Sequence, residues 1–217
     1  MRRYIYAGIV MATALIAIVP ATSASAASAH VLTTGKVGGP AVKPHAVLKA
    51  GLVKGSAAVF VTSLGKLTCA NSSVTAKVVS NPAAHGTARE SLTAQTFGKC
   101  TINVSGATVG KMTISDLPYA ITMSDAKGDP VKVSGHSKSA PMLVTLTVTD
   151  VITVSCSYKA TAISGREVNK GNETVFVKQS FKLSSGSSFC PTSATFSAAY
   201  GPLKDTSVKG SPAVFVS

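Results

Sequence analysis

Tryptophan is absent from the 217-residue chain, aromatic residues make up 6% of it, and 8 acidic residues face 21 Lys and Arg. Leu, Glu and Gln are also scarce beside Val, Thr, Ser, Ala and Gly, a mixture that disfavours helices and favours strands. Few aromatics lie among the basic residues, and these are scattered lysines with little Arg. The stacking platforms and Arg clusters of nucleic-acid readers are therefore missing, and no specific nucleic-acid partner is expected. No CxxC pair occurs, and His30, His45, His85 and His136 stand apart from the cysteines and from one another. That spacing argues against a metal site, and no cofactor is expected. A GxSxG elbow is missing, as is a Gly-rich phosphate loop that follows a strand and opens a helix.

Long hydrophobic runs are missing too. The apolar run at 7–19 is too short to span a bilayer. Behind the basic MRRYIY and ahead of Ala24-Ser25-Ala26 it reads as a secretory signal peptide over residues 1–26. Arg2-Arg3 raises the twin-arginine route, but Met1 precedes the pair instead of Ser or Thr, which favours general secretion. No cysteine precedes Cys69, which excludes a lipid anchor just after the cleavage site. Residues 140–156 are apolar but studded with Thr and carry Asp150, so they read as consecutive strands. No transmembrane anchor is expected. The mature chain should be extracellular or associated with the cell wall, released or held there without a covalent link.

Cleavage would remove Arg2 and Arg3 from a formal charge of +13, and no Asp or Glu occurs before Glu90. A secreted protein this basic is drawn to anionic surfaces, and salt weakens the attraction. The expected partner is an anionic cell-wall polymer or an envelope protein.

Residues 27–51 form a Gly/Pro/Ala-rich leader in which AVLKAGLV can add a strand, and 52–217 form the β-domain. VKGSAAVFVT at 53–62 returns as VKGSPAVFVS at 208–217. VTSLGKLTC, ending at Cys69, likewise lies over VTDVITVSC, ending at Cys156. The second cysteine follows 31 residues on in one case (Cys100) and 34 in the other (Cys190), and PYAITM and PAVFVS come after. This order of features suggests two β-units, about 57–124 and 142–217, related by a pseudo-repeat, with the decapeptides as equivalent first and last strands. Four cysteines in an exported chain imply two disulfides. Three pairings are open, and the two-unit alignment favours Cys69–Cys100 and Cys156–Cys190.

Ile152, Val154, Cys156 and Tyr158 alternate with polar residues, as do Cys100, Ile102 and Val104, which gives each segment one apolar face. Turn chemistry at Asn81-Pro82, Gly128-Asp129-Pro130 and Gly171-Asn172 separates the runs. No apolar stripe of helical period is present. The expected fold is all-β: an antiparallel sandwich or barrel-like pair of sheets.

SNPAAHGTARESLTAQTFGKC, LPYAITMS, CSYKA, TVFVKQSFKL, SSFCP and DTSVKGSPAVFVS resemble a family of small secreted, disulfide-containing proteins of actinobacteria, over about residues 38–217. The resemblance implies an exported β-protein with disulfides and supplies no catalytic residue.

Candidate chemistry is thin. His136 and Ser137 are neighbours, but adjacent strand residues point to opposite faces. Asp116, Asp125, Asp129 and Asp150 are the acids available for a carboxylate pair, and Asp125 and Asp129 lie where a turn wants Asp. Tyr119 and Tyr200 can line a groove. The loop from Ser80 to Thr87, with Asn81 and His85, is the best recognition loop. The reading is a secreted, non-enzymatic binding or structural protein of the envelope. The alternatives are an extracellular inhibitor or small-molecule carrier and, behind both, a hydrolase.

Overall fold

The computed structural model describes residues 30–217, so the signal peptide expected over 1–26 lies outside the described residues. Those residues are all β, as composition and alternation require. The strands are β1 (Leu32–Thr34), β2 (Val47–Gly51), β3 (Ala58–Thr62), β4 (Lys66–Ser80), β5 (Thr87–Ile102), β6 (Thr108–Ser115), β7 (Tyr119–Ser124) and β8 (Pro130–Ser134). After them come β9 (Met142–Thr149), β10 (Thr153–Ala160), β11 (Ala162–Val168), β12 (Glu173–Gly186), β13 (Ser193–Tyr200), β14 (Lys204–Asp205) and β15 (Val214–Val216).

Eight antiparallel strands close into a barrel in the order β11, β8, β7, β5, β4, β3, β13, β12, and the β11–β12 ladder completes the circle. Closure removes the free edges that an open sheet would expose. Strands β4, β5 and β12 are long, 15, 16 and 14 residues, and run past this ring. Beyond it β12 turns its edge to β10, and β9 and β6 continue the sheet. The upper half is therefore walled by β10, β9 and β6 where the lower half has β11, β8 and β7.

Strands of the two expected β-units interleave. The β3–β13 and β6–β9 ladders each join a strand of the first unit to a strand of the second. The aligned VTSLGKLTC and VTDVITVSC do share a structure, because both form hairpins, β3–β4 and β9–β10, whose tips lie at the same end.

The decapeptides share less. Their VKGS stretches are the same β-turn: Ser56 N donates to Val53 O (2.9 Å) and Ser211 N to Val208 O (3.0 Å). The turn glycines sit at φ 81° (Gly55) and 85° (Gly210), where a side chain would be strained. The strands that follow bury opposite faces. In β3, Ala58 and Phe60 are buried and Val61 is exposed, whereas in β15 Val214 and Val216 are buried and the equivalent of Phe60, Phe215, is not. They also join different ladders, β3 in the barrel and β15 on β1. The expectation of equivalent first and last strands is thus corrected to one turn used twice.

Most of the leader is ordered. β1 pairs with β15, and β2 pairs with β4 and β14. The β1–β15 ribbon caps the far end of the barrel with Val31, Leu32, Val214 and Val216, none more than 2% exposed. Three asparagines fasten it. Asn81 accepts from Leu32 N (2.8 Å) and donates to the carbonyls of Leu32 (2.8 Å) and Val42 (2.9 Å). Asn169 likewise pairs with both backbone groups of Val216, and Asn172 donates to Val214 O. Each side-chain amide replaces a ladder partner that the short ribbon lacks. Removing such an amide orphans buried backbone groups, so Asn81→Ala should cost about 2–3 kcal/mol in urea unfolding. It should also raise amide exchange across Leu32–Thr34.

Candidate functional site

With the far end capped, the opposite end is left to four loops. They are the β3–β4 turn around Leu64, the β5–β6 loop around Val104, the β9–β10 turn at Val151 and Ile152, and the β12–β13 loop at Phe189. Turns ordinarily carry polar residues, yet each of these presents apolar side chains whose exposure runs from 36% at Val104 to 94% at Val151. Inside the ring of tips is a cavity of about 400 Å³. Its walls are Leu67, Leu146, Val148, Val154 and Tyr158, with Phe60 at its base. The size falls in the roughly 300–1,000 Å³ range of small-molecule sites.

The tips are braced against one another. Asn103 Oδ1 accepts from Lys66 N (2.6 Å) and Asn103 N donates to Lys66 O (3.1 Å), which ties the β5–β6 loop to the β3–β4 turn. A Cβ on Gly106 would lie 3.0 Å from Asp150 Oδ1, so the β5–β6 and β9–β10 tips touch. The Cys156–Cys190 disulfide fastens the Phe189 loop to β10, and Cys69–Cys100 links directly opposed residues of β4 and β5. Both pairings are those favoured by the two-unit alignment, and they suit an oxidising compartment. Between β5 and β6 no ladder forms, although the strands lie side by side. The upper half thus has a seam.

Phe60 also faces a second, inner chamber of about 80 Å³. Its ring lies 5.2 Å from Phe196 and 5.5 Å from Phe181, centroid to centroid, and this cluster separates the two spaces. The chamber is apolar apart from a few polar groups. Tyr200 OH meets Ser72 Oγ and accepts from Gln95 Nε2, each at 2.9 Å, and burial pushes its phenol up to about 12. Glu90 lines the chamber at 3% exposure, and its Oε1 has no protein hydrogen-bond partner. Burial, with the Glu167 charge nearby, pushes its carboxyl up to about 8. Glu167 is 4% exposed and accepts from Thr174 Oγ1 (2.6 Å). Burial pushes it up to about 7, opposed by that hydrogen bond and reinforced by the Asp129 and Glu173 charges.

Of the residues singled out in the sequence, Tyr119 and Tyr200 line the inner chamber and Asp150 the open end, and the others lie elsewhere. Asn81 holds β1, as described above. His85 is exposed at the far end with φ 66°; its backbone N donates to Asp125 Oδ2 (2.5 Å) and its ring lies 3.9 Å from that carboxylate. Asp125 and Asp129 flank the β7–β8 turn at the far end, and Asp150 is at the open end. Ser137 Oγ pairs with Ser139 Oγ (2.8 Å) while His136 Nε2 contacts Asp116 O (3.0 Å), so the two neighbours do not engage each other. Tyr119 is buried, donates to Ser115 O and accepts from Leu143 N (2.9 Å). Among the described residues no three His, Cys, Asp or Glu gather as metal ligands, and no helix is long and apolar enough to cross a membrane.

The open end and the buried acids were missed, although both left marks in the sequence. Glu90 falls in the alternation Ala88, Glu90, Leu92, which places it on the inward face. Leu64, Val151 and Phe189 are apolar residues at turns. No protein-family model, curated protein or solved structure matches the chain.

Proposed function

We propose that this chain is a secreted, non-enzymatic binding protein that carries an apolar small molecule in the open end of its barrel. The observation that carries the reading is the 400 Å³ cavity, apolar to its rim, held open by loops that are cross-braced and bridged by a disulfide. A preorganised apolar cup loses little freedom on binding, which favours a small ligand over a coupled folding event. Among the described residues the only charged side chain on its wall is Asp150 at the rim, so the buried part of the ligand is uncharged. The engagement of Ser137 with Ser139, and the bridging of all four cysteines, support the non-enzymatic part of the reading.

The test is titration with the neutral fluorophore N-phenyl-1-naphthylamine. Saturable enhancement at one site per chain is expected. Val148→Trp, which fills the cavity from β9, should weaken it about tenfold or more, equivalent to at least ~1.4 kcal/mol. Organic extraction of the purified protein should yield an apolar molecule that is missing from the Val148→Trp variant. Enhancement that never saturates, or that the tryptophan leaves unchanged, would exclude the cavity as the site.

A further inference from the structure

The open end differs from the rest of the surface in charge as well as in hydropathy. Among the described residues, five exposed large apolar side chains, Leu64, Val104, Val151, Ile152 and Phe189, share its four tips, whereas the other five, Val37, Val61, Val79, Val177 and Val208, lie on separate strands and turns elsewhere. Across those loops, in a chain with 21 Lys and Arg, the charged residues are Lys66 at the edge of one and Asp150 in another. Just behind the tips the charge returns with one sign. Lys66 on β4, Lys99 on β5, Lys111 on β6 and Lys182 on β12 are exposed. Each lies within four residues of its strand's open end, about 13 Å along the barrel at the usual strand rise. Lys182 is also paired in register with exposed Lys159. The acids other than Asp150 lie farther down: Asp116 in the β6–β7 turn, Asp125, Asp129 and Glu173 at the far end, and Glu90, Glu167 and Asp205 buried.

An apolar crown above a collar of lysines matches a membrane interface in its order of layers. Apolar side chains enter the boundary between headgroups and acyl chains to a depth of about 5–10 Å, while lysines behind them reach the anionic headgroups. We infer that the open end docks on the surface of an anionic lipid bilayer, with Leu64, Val151, Ile152 and Phe189 inserted and Lys66, Lys99, Lys111 and Lys182 at the phosphates. The inference rests on the carrier reading for its purpose, since docking brings the mouth of the cavity, and the seam between β5 and β6, against the phase from which an apolar ligand would partition. The charge collar favours this occupant over a protein with an apolar patch, which would have no need of four cations ringing the contact. Asp150 is the one opposing charge and is outnumbered there.

The experiment is vesicle co-sedimentation of the oxidised chain processed after Ala26. That form keeps every described residue and excludes the apolar run at 7–19. Vesicles of phosphatidylcholine alone and with one-quarter phosphatidylglycerol are compared, in low and high salt. Binding to the anionic vesicles is expected, and the combined Leu64→Ser, Val151→Ser, Ile152→Ser and Phe189→Ser change should weaken it about tenfold or more. All four side chains are exposed, so the fold should persist, and a near-identical urea midpoint checks that. Lys99→Gln with Lys111→Gln should weaken anionic binding and flatten its salt dependence.

Three results would overturn the inference. The first is no sedimentation with anionic vesicles. The second is sedimentation that the serine changes leave intact, which reduces the effect to lysine charge. The third is self-association in solution that the serine changes abolish while vesicle binding is absent, which assigns the crown to a second copy of the chain. The Val148→Trp variant separates this inference from the carrier reading. Vesicle binding with no fluorophore binding in the wild-type chain would retain docking and remove the carrier, and the converse would do the opposite.

Discussion

Between pH 8.5 and pH 5 the folded barrel should gain stability, and Glu90→Gln should remove most of that gain. The sign follows from the direction of the shift. Burial raises the Glu90 carboxyl from 4.5 to about 8 in the folded chain. Between those values the native state holds a proton that the unfolded state has released. The unfolded state then binds fewer protons, so stability falls as pH rises through this window and levels off on either side. A shift of that size corresponds to on the order of 5 kcal/mol. Glu167, raised to about 7, acts in the same direction, and because the two carboxyls interact the titration belongs to the pair.

Glutamine keeps the volume of Glu90 and stays neutral at every pH. The variant should therefore match the wild type near pH 4.5 and exceed it in urea midpoint at pH 8.5. Changing Glu167 to Gln as well should leave a nearly flat profile. Parallel pH profiles for wild type and Glu90→Gln would mean that Glu90 is not the proton-holding group.

Those two acids mark the limit of what the sequence made legible. The β character, the polarity of each strand face and the cysteine pairing could be read because they depend on local alternation and on the order of features along the chain. Val154, Cys156 and Tyr158 turn inward together, as a period of two requires. Register and ladder partners could not be read in that way. The same Ala-Val-Phe-Val sequence buries Phe60 in β3 and leaves Phe215 only partly covered in β15, because a shift of one residue exchanges the faces and only distant partners decide the register. Asn81 likewise read as a loop residue, correctly, but its partners Leu32 and Val42 come from the Gly/Pro/Ala-rich leader, ahead of the expected β-domain.

The open end was hidden for a related reason. Leu64, Val104, Val151 and Phe189 are spread over 126 positions of the chain, and only barrel closure gathers them. A single apolar residue in a turn is unremarkable on its own. Four loop tips of that kind around one mouth are not, and that count needs the topology. Charge behaves the same way: Lys66, Lys99, Lys111 and Lys182 are scattered along the chain, and only the fold sets them together behind the tips.

Removing either disulfide should destabilise the protein by a similar amount, but only one removal should empty the cup. The Cys69–Cys100 and Cys156–Cys190 bridges span 31 and 34 residues. In the chain-entropy model each such loop contributes roughly 3–4 kcal/mol, a large part of the 5–15 kcal/mol typical of a domain. Cys69→Ala with Cys100→Ala deletes a link across β4 and β5, whose ladder continues on both sides and still holds the wall. Cys156→Ala with Cys190→Ala frees the loop that carries Phe189, which is joined to β10 chiefly through that bond. Gly186 is part of the same design: a Cβ there would lie 2.4 Å from Cys190 Sγ, so the loop is shaped around the sulfur. Urea midpoints of the two double variants should therefore fall together, while N-phenyl-1-naphthylamine affinity, measured at a temperature where both are folded, should fall about tenfold or more only without Cys156–Cys190. Equal loss of affinity in both would mean that the cavity depends on global stability. Full affinity without Cys156–Cys190 would mean that Phe189 is no part of the site.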